Sequence, residues 1–317
     1  MDNRAWAWYE ERSSHWRDWP VGRLVTAKHR KDARISVVIP ARNEERTVAQ
    51  VVRHLIDALM VRAPLVDEVL VIDSDSTDST GEVAARAGAA VHRAREIAPE
   101  LGAFPGKGEA LWKSLLVAEG DLLVFIDADL TRWGPHFVTG LLGPLLADDE
   151  VLLVKGHYER TRTESDGSTS TEGGRVTELV ARPLISLWWP QLAGVVQPLA
   201  GEWAARRTLM ESLPIPVGYG VELAVLIDTA ARHGLRALAQ VDLGARAHRH
   251  QANHDLALMA AELLLVADRR RSGPGPGSAG ELHQFERVDG AVRPLTRSVP
   301  AVERPPLAQA ISQLETT

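Results

Sequence analysis

Three short apolar runs, each followed by a segment with helical periodicity, constrain the fold more than any other feature of this 317-residue chain. The runs occupy residues 35–39, 68–72 and 122–126, and the first two are rich in β-branched side chains. Short runs of this kind are typical of strands that are buried on both faces of a sheet. Strands that alternate with helices predict an α/β fold, with a Rossmann-like, mostly parallel sheet and flanking helices.

Changes in composition divide the chain into four predicted parts. The first part carries four of the nine tryptophans, which suits a segment that docks its indoles on the main domain or on a second subunit: Trp6, Trp8, Trp16 and Trp19. The predicted parts are a Trp-rich N-terminal segment (1–34), a ligand-binding subdomain (35–155), a second subdomain (156–271), and a linker with a C-terminal tail (272–317).

The composition excludes several kinds of protein. Without cysteine there is no disulfide, thiolate zinc site, iron–sulfur cluster or cysteine nucleophile. A formal net charge of −6 argues against a nucleic-acid-binding protein. No apolar run approaches the roughly 20 residues of a spanning helix, and no export signal is visible, so we expect a cytoplasmic protein without stable membrane insertion.

Four polar loops follow the predicted strands, where ligands of parallel sheets bind. Two of them, at 40–45 (PARNEE) and 73–80 (DSDSTDST), taken alone resemble helix N-termini and capping clusters. The third, at 106–108, places Lys107 between two glycines, and the fourth is Asp127-Ala128-Asp129 directly after an apolar run. Two carboxylates at a buried strand end need a cation nearby. Together the loops indicate carboxylates that hold a divalent ion on a diphosphate, with Lys107 adding positive charge.

Motifs of three other enzyme classes are missing from the sequence. Gly108 stands where a Walker phosphate loop requires Ser or Thr. No GxGxxG follows the first run, which argues against a dinucleotide-binding dehydrogenase. No GxSxG is present, so the nucleophile elbow of a hydrolase is also absent.

In this order, the motifs resemble the nucleotide-sugar domain of GT-A-type glycosyltransferases: PARNEE, DSDSTDST, PGKGEALW and FIDADL. Motifs in the second half are similar to the acceptor segment of glycosyltransferase family 81, the glucosyl-3-phosphoglycerate synthases: GGRVTELVARP (173–183), QPLAGE (197–202), GYGVE (218–222) and RAHRH (246–250). The resemblance covers roughly residues 35 to 266. It implies a GT-A-type fold with a C-terminal acceptor-binding part.

The resemblance implies transfer of glucose from UDP-glucose to the 2-hydroxyl of 3-phosphoglycerate, assisted by Mg²⁺ or Mn²⁺. Actinobacterial members of the family start the synthesis of methylglucose lipopolysaccharide or glucosylglycerate. The resemblance also implies retention of anomeric configuration. Because the sequence offers no clear nucleophile, we favour attack on the same face, with the leaving phosphate taking the acceptor's proton.

Residue roles carried over from the resemblance fall into three groups. The implied metal ligands are Asp129 and His248, and the implied catalytic residues are Asp129, Lys107 and Glu222. The implied nucleotide-sugar contacts are Pro40, Ala41, Arg42, Glu44, Ser74, Lys107, Asp127, Ala128, Asp129, Leu199, Tyr219, Glu222 and Arg246. The implied acceptor contacts are Gly174, Arg175, Val176, Thr177 and His250. Within these sets, Asp127 is expected to contact the ribose or Lys107 rather than the metal.

Two alternatives stay open at the level of sequence. Close relatives use GDP-mannose, so the chain could instead make mannosyl-3-phosphoglycerate. A catalytically silent nucleotide-sugar sensor is the other alternative, and the presence of the aspartate, lysine and histidine positions argues against it. The tryptophans of the first segment suggest a homodimer.

Overall fold

Strands and helices alternate along the chain, as the apolar runs predict. The computed structural model describes residues 3–160, 162–163, 169–170, 174–246, 253–273, 280–288 and 291–315. Within these ranges the strands are β1 Ser13–His15, β2 Ile35–Ala41, β3 Glu68–Asp73, β4 Ala90–Arg93, β5 Leu122–Phe125, β6 Leu153–Arg160, β7 Arg162–Thr163, β8 Thr169–Ser170, β9 Trp203–Arg206, β10 Ile215–Pro216, β11 Leu238–Arg246, β12 Gly280–Val288, β13 Ala291–Val299 and β14 Glu303–Arg304.

The α-helices in the same ranges cover both sides of the central sheet. They are α1 Asn3–Arg12, α2 Val21–Lys31, α3 Val48–Ile56, α4 Thr80–Arg86, α5 Lys107–Ser114, α6 His136–Ala147, α7 Arg182–Trp188, α8 Arg207–Ser212, α9 Val221–His233, α10 Asn253–Ser272 and α11 Leu307–Glu315. Two π-helical turns, Asp57–Val61 and Thr177–Ala181, extend α3 and precede α7. None of the helices in the described ranges is both long and apolar enough to cross a bilayer.

Eight strands form one sheet in the order β1-β11-β6-β9-β5-β2-β3-β4. All neighbouring pairs are parallel except the two that involve β9, which runs antiparallel to β5 and β6. The prediction of a mostly parallel sheet is confirmed. The reversed β9 has a consequence for the site, because the chain that enters β9 arrives at the edge where the other strands end.

Alternate residues of the central strands face opposite sides of the sheet, as the two-residue period of a strand requires. Val37 and Ile39 of β2 pack into one apolar layer with α3 and α6, while Val38 packs into a second layer with α5 and α9. All three side chains are completely buried. Burial on both faces explains why these runs are continuously apolar.

The Trp-rich N-terminal segment docks on the main domain. Its strand β1 pairs in parallel with β11. The Trp8 indole donates to the carbonyls of Leu235 and Leu238, at 2.9 and 3.2 Å. A Cβ on Gly143 of α6 would lie 2.1 Å from the Trp19 ring, so this glycine lets the indole approach the helix backbone.

The region predicted as a linker and tail contains regular structure. Strands β12 and β13 form a hairpin, and the short β14 pairs antiparallel with β10. Helix α11 packs on α8. The last part of the chain therefore returns to the body of the domain.

Candidate active site

The loops after β2 and β3 interlock at the carboxyl edge of the sheet. Asn43 has a left-handed backbone conformation (φ 58°), and its Oδ1 accepts the N–H of Thr77 at 2.8 Å. Its own N–H donates to Ser76 Oγ at 3.0 Å, and the Glu44 N–H donates to Thr80 Oγ1 at 2.8 Å. The hydroxyl-rich sequence DSDSTDST therefore supplies partners for the first loop, and the two loops form one surface.

The residues predicted to contact the nucleotide at these strand ends lie side by side. Pro40 and Ala41 end β2, and the Ser74 N–H donates to the Ala41 carbonyl at 2.9 Å. Arg42 is exposed, and the half-buried Glu44 accepts from Thr47 Oγ1 at 3.1 Å through Oε2. The parallel pairing of β2 with β3 produces this adjacency.

Lys107 stands at the start of α5 between two glycines, Gly106 and Gly108. Because these glycines have no side chain, the backbone of residues 216–218 can pack directly against the loop. Gly106 has φ 133°, and a Cβ there would lie 2.3 Å from the Val217 carbonyl oxygen. A Cβ on Gly108 would lie 1.8 Å from the Pro216 carbonyl oxygen. Side chains at these positions would push the lysine loop away from residues 216–218.

Lys107 joins two carboxylates that come from distant parts of the sequence. Its Nζ lies 2.7 Å from Asp127 Oδ1 and 2.9 Å from Glu222 Oε1. Burial by itself lowers the pKa of Lys107, but the two carboxylates outweigh it and raise the pKa well above its usual range. The lysine is therefore a fixed positive charge between the aspartate loop and the first turn of α9.

Arg246, the last residue of β11, faces three carboxylates. Its Nη2 lies 2.9 Å from Asp127 Oδ2, 3.2 Å from Glu202 Oε1 and 3.4 Å from Asp129 Oδ1. Its Nη1 donates to the Tyr158 hydroxyl. The parallel pairing of β11 with β6 brings the arginine to the same edge as the aspartates.

The two aspartates differ in their electrostatics. Burial raises the pKa of Asp127, but Lys107 and Arg246 outweigh it and lower the pKa well below the usual range. For Asp129, burial and the neighbouring charge of Asp127 raise the pKa. Asp127 is thus compensated by two cations, whereas the charged form of Asp129 is disfavoured by burial and by Asp127, and a further cation would stabilise it.

The chemistry of Asp129 fits a hard divalent ion. Its side chain is about a quarter exposed, at 26%, and Mg²⁺ and Mn²⁺ favour carboxylate oxygens. The other residues predicted to act here, His248 and His250, lie outside the described residues. Over the described ranges, no three His, Asp or Glu side chains converge closely enough to hold a metal.

The region predicted to contact the sugar lies around the start of α9. Glu222 is buried at 6% exposure, while Tyr219 is 42% exposed. The Tyr219 N–H donates to Oε2 of the buried Glu262 at 2.6 Å. Half-buried Leu199 belongs to the loop that enters β9.

Three buried side chains near the loop that enters β9 had no predicted role. Glu202 is completely buried, and burial raises its pKa. Lys155 on β6 donates to the Ala200 carbonyl at 2.8 Å, and burial lowers its pKa to about 8. Tyr158 lies under the Arg246 guanidinium, at 5.0 Å from ring centroid to Cζ. For these three groups, the one hint in the sequence was Glu202 at the end of the QPLAGE motif. The sequence did not predict the reversed strand β9, whose entry brings Glu202 to the site.

The predicted acceptor segment begins a helix of mixed type. Gly174 accepts the N–H of Glu178 at 3.0 Å. Arg175 is half-buried, while Val176 and Thr177 are buried. The turn that follows is π-helical up to Ala181, and regular α-helix starts at Arg182.

Comparison with known proteins identifies the class to which this fold and site belong. Residues 36–193 match the family model "Glycosyl transferase family 2". A glucosyl-3-phosphoglycerate synthase from Petrotoga mobilis is 47% identical over 247 residues, which are 78% of this chain and 76% of that protein.

Solved structures of the Mycobacterium tuberculosis glucosyl-3-phosphoglycerate synthase are similar over most of their length. One, in complex with Mn²⁺, UDP-glucose and phosphoglyceric acid, is 44% identical with a TM-score of 0.81, over 92% of this chain and 95% of that chain. Another, in complex with Mg²⁺ and UDP, is 43% identical with a TM-score of 0.83, over 94% of this chain and 98% of that chain.

The mostly parallel sheet with acidic loops at its carboxyl edge thus belongs to a glycosyltransferase with a GT-A-type fold. Within that class, the chain belongs to the glucosyl-3-phosphoglycerate synthase family.

Proposed function

We propose that this protein transfers glucose from UDP-glucose to the 2-hydroxyl of 3-phosphoglycerate, giving glucosyl-3-phosphoglycerate and UDP. The bridge from Lys107 to Asp127 and Glu222 carries the proposal, because one buried cation joins the aspartate loop to the start of α9. The ligands in the similar M. tuberculosis structures support the choice of substrates. As in actinobacterial members of the family, the product would be the starting compound for the synthesis of glucosylglycerate or methylglucose lipopolysaccharide.

Asp129 and His248 would hold Mg²⁺ or Mn²⁺. The raised pKa of Asp129, caused by burial and by the neighbouring Asp127, supports this assignment, because a bound cation would stabilise the charged carboxylate. When bound, the ion neutralises charge on the diphosphate, which becomes more negative as the bond to glucose breaks.

The nucleotide would lie across the interlocked loops. Pro40, Ala41, Arg42, Glu44 and Ser74 form the pocket for the uridine. Asp127 and Ala128 line its ribose side. Hydrogen bonds between the two loops hold this surface together, so the uridine would meet loops that already contact each other.

Glu222 accepts hydrogen bonds from glucose hydroxyls, and Tyr219 and Leu199 complete the sugar pocket. Lys107 and Arg246 place two positive charges where the leaving diphosphate develops charge. Preorganised charges of this kind stabilise a transition state because they need no reorganisation during the reaction. The acceptor attacks the face that UDP leaves, and the leaving phosphate takes the proton of the 2-hydroxyl.

The acceptor would bind at residues 174–177, with His250 beside it. Arg175 offers a bidentate fork to a phosphate or carboxylate. The N–H groups of a first helical turn attract anions. Val176 contributes its backbone, and Thr177 offers a hydroxyl.

The decisive experiment offers the purified protein UDP-glucose, GDP-glucose and GDP-mannose with 3-phosphoglycerate and Mg²⁺, and identifies products by mass. We expect UDP-glucose to give the fastest turnover, and EDTA to abolish it until Mg²⁺ or Mn²⁺ is restored. Faster turnover with GDP-mannose would make the protein a mannosyltransferase. Full activity in chelator would refute the metal assignment.

A Glu222→Gln variant tests the sugar pocket. We expect lower turnover with UDP affinity unchanged within about 3-fold, because UDP lacks the hexose that this residue contacts. Calorimetry with UDP is the measurement. A loss of UDP binding would mean that Glu222 acts on the nucleotide, directly or through Lys107, and would contradict its assignment to the sugar pocket alone.

We further propose that the protein is a cytoplasmic homodimer. The cytoplasm is where nucleotide sugars and phosphoglycerate are made. Exposed apolar side chains on α7, the π-helical turn before it and the β12–β13 hairpin support dimerisation: Leu179 (75% exposed), Leu187 (74%) and Phe285 (69%). The tryptophans that first suggested a dimer mostly pack on the domain itself. Light scattering of the wild type and of Leu187→Glu measures the assembly, and a monomeric wild type would refute it.

A further inference from the structure

Arg304, near the C-terminal end of the chain, is buried against the loop that carries Lys107. Its exposure is 7%, and that of its partner Glu109 is 1%. The guanidinium binds the carboxylate with both arms, at 2.7 Å from Nε to Oε2 and 2.5 Å from Nη2 to Oε1. Glu109 stands in the first turn of α5, directly after the lysine loop.

The same guanidinium holds the segment on the other side of the loop. It donates to the carbonyls of Leu101 and Gly102, at 2.7 and 3.0 Å. The rings of Phe104 and Trp112 lie 4.6 and 4.9 Å from its Cζ. These contacts all fall within residues 101–112, the stretch that contains Lys107.

Backbone hydrogen bonds tie residues 302–305, here called the C-terminal strap, to a second segment of the site. Arg304 pairs with Ile215 in β14 and β10, and the Val217 N–H donates to the Val302 carbonyl at 3.1 Å. The Glu109 N–H in turn donates to the Val217 carbonyl at 2.9 Å. The strap thus joins the lysine loop to residues 215–218, which lead into α9.

A second contact of the strap fixes α9. Arg270 of α10 pairs with Glu303 at 2.8 Å and with Asp228 of α9 at 2.7 Å. Glu222 lies in the first turn of α9. The strap therefore anchors both the loop that carries Lys107 and the helix that carries its partner Glu222.

From these contacts we infer that Arg304 is a positioning residue for the transfer reaction. It acts through Glu109 and keeps Lys107 between Asp127 and Glu222, although it touches no substrate itself. The inference rests on the proposed function, in which Lys107 contacts the donor phosphates. It gives the C-terminal region, which carried no recognised motif, a part in catalysis.

The test compares Arg304→Lys and Glu109→Gln with the matched control Arg206→Lys. Arg206 is also a partly buried arginine that donates to carbonyls, those of Val151 and Leu145 at 2.9 Å each, but it ends β9 at the opposite edge of the sheet. We expect kcat to fall by about 10- to 100-fold in the strap variants, because small displacements of a catalytic group have effects of this size. In Arg206→Lys, kcat should stay within about 2-fold even where the melting temperature falls.

A double-mutant cycle with Lys107→Met shows whether the strap acts through the lysine. Calorimetry with UDP measures the cycle without turnover. We expect Arg304→Lys to weaken UDP binding in the wild-type background and to have no further effect in Lys107→Met, because residues that act as one unit are not additive. Equal losses in both backgrounds, or strap variants that behave like Arg206→Lys, would overturn the inference. An inactive wild type would instead refute the proposed function.

Discussion

Two aspartates separated by one residue experience opposite environments at this site. Lys107 and Arg246 lower the pKa of Asp127, whereas burial and the charge of Asp127 raise the pKa of Asp129. We expect Asp129→Asn to lower kcat at least ~100-fold, as for the loss of an electrostatic stabiliser.

Stability measured without metal separates the two positions further. Asp129→Asn removes an unfavourable charge, so its melting temperature should equal or exceed that of the wild type. Asp127→Asn leaves two buried cations with less compensation and should melt at a lower temperature. The reverse order of melting temperatures would contradict this account.

Arg175 provides a prediction for the acceptor. Arg175→Ala should raise the KM for 3-phosphoglycerate roughly 10- to 150-fold, the range for a charge-assisted hydrogen bond, and leave the KM for UDP-glucose almost unchanged. Steady-state kinetics with each substrate varied in turn is the measurement. If both constants rise together, the segment has a structural role.

Individual contacts divide into those the sequence could predict and those it could not. The family resemblance implied that Asp127 contacts either the ribose or Lys107, and in the structure Asp127 pairs with Lys107. The Arg304–Glu109 pair joins residues 195 positions apart and has no local signature. Such a pair depends on how the last part of the chain returns to the domain, which periodicity does not report.

At the level of elements, the reversed strand β9 brings residues 199–202 into the site. A Cβ on Gly201 would lie 2.3 Å from Asp127 Oδ2. Gly201→Ala should therefore displace the Asp127 carboxylate from its two cations and lower kcat by about 10-fold or more. The matched control is Gly22→Ala in α2, where a Cβ meets nothing within 4 Å. This control should keep full activity and melt at the same or a higher temperature.

The sequence predicted strands and helices well where the pattern of apolar residues is strong, and less well near the site. The runs at 35–39 and 68–72 became strands with almost the expected bounds. Nothing in the sequence predicted the π-helical turn Thr177–Ala181, which lies in the segment predicted to bind the acceptor. Strand β9 is four residues long, and its direction follows from its neighbours rather than from its own sequence.

For the whole molecule, Lys155 links stability to pH. Its pKa is about 8 when folded and about 10.4 when unfolded, so between these values the unfolded chain binds more protons. The free energy of unfolding contributed by this residue therefore rises as the pH increases from 8 to 10.4, and the cost of its buried charge is fully present below pH 8.

A Lys155→Met variant isolates this effect. The stability of the wild type relative to the variant should increase between pH 7 and pH 10, by on the order of 2–3 kcal/mol. Urea denaturation at several pH values measures the difference. A difference that stays constant over this range would show that Lys155 does not titrate there.

The two outer strands of the eight-stranded sheet are its shortest or nearly so. At one end β1 has three residues, and at the other β4 has four, with Arg93 as its last residue. A short edge that carries charge offers few free N–H and carbonyl groups to a strand from another molecule. The sheet is therefore a poor template for aggregation through strand addition, and crowded solutions of this protein should resist forming β-rich assemblies at these ends.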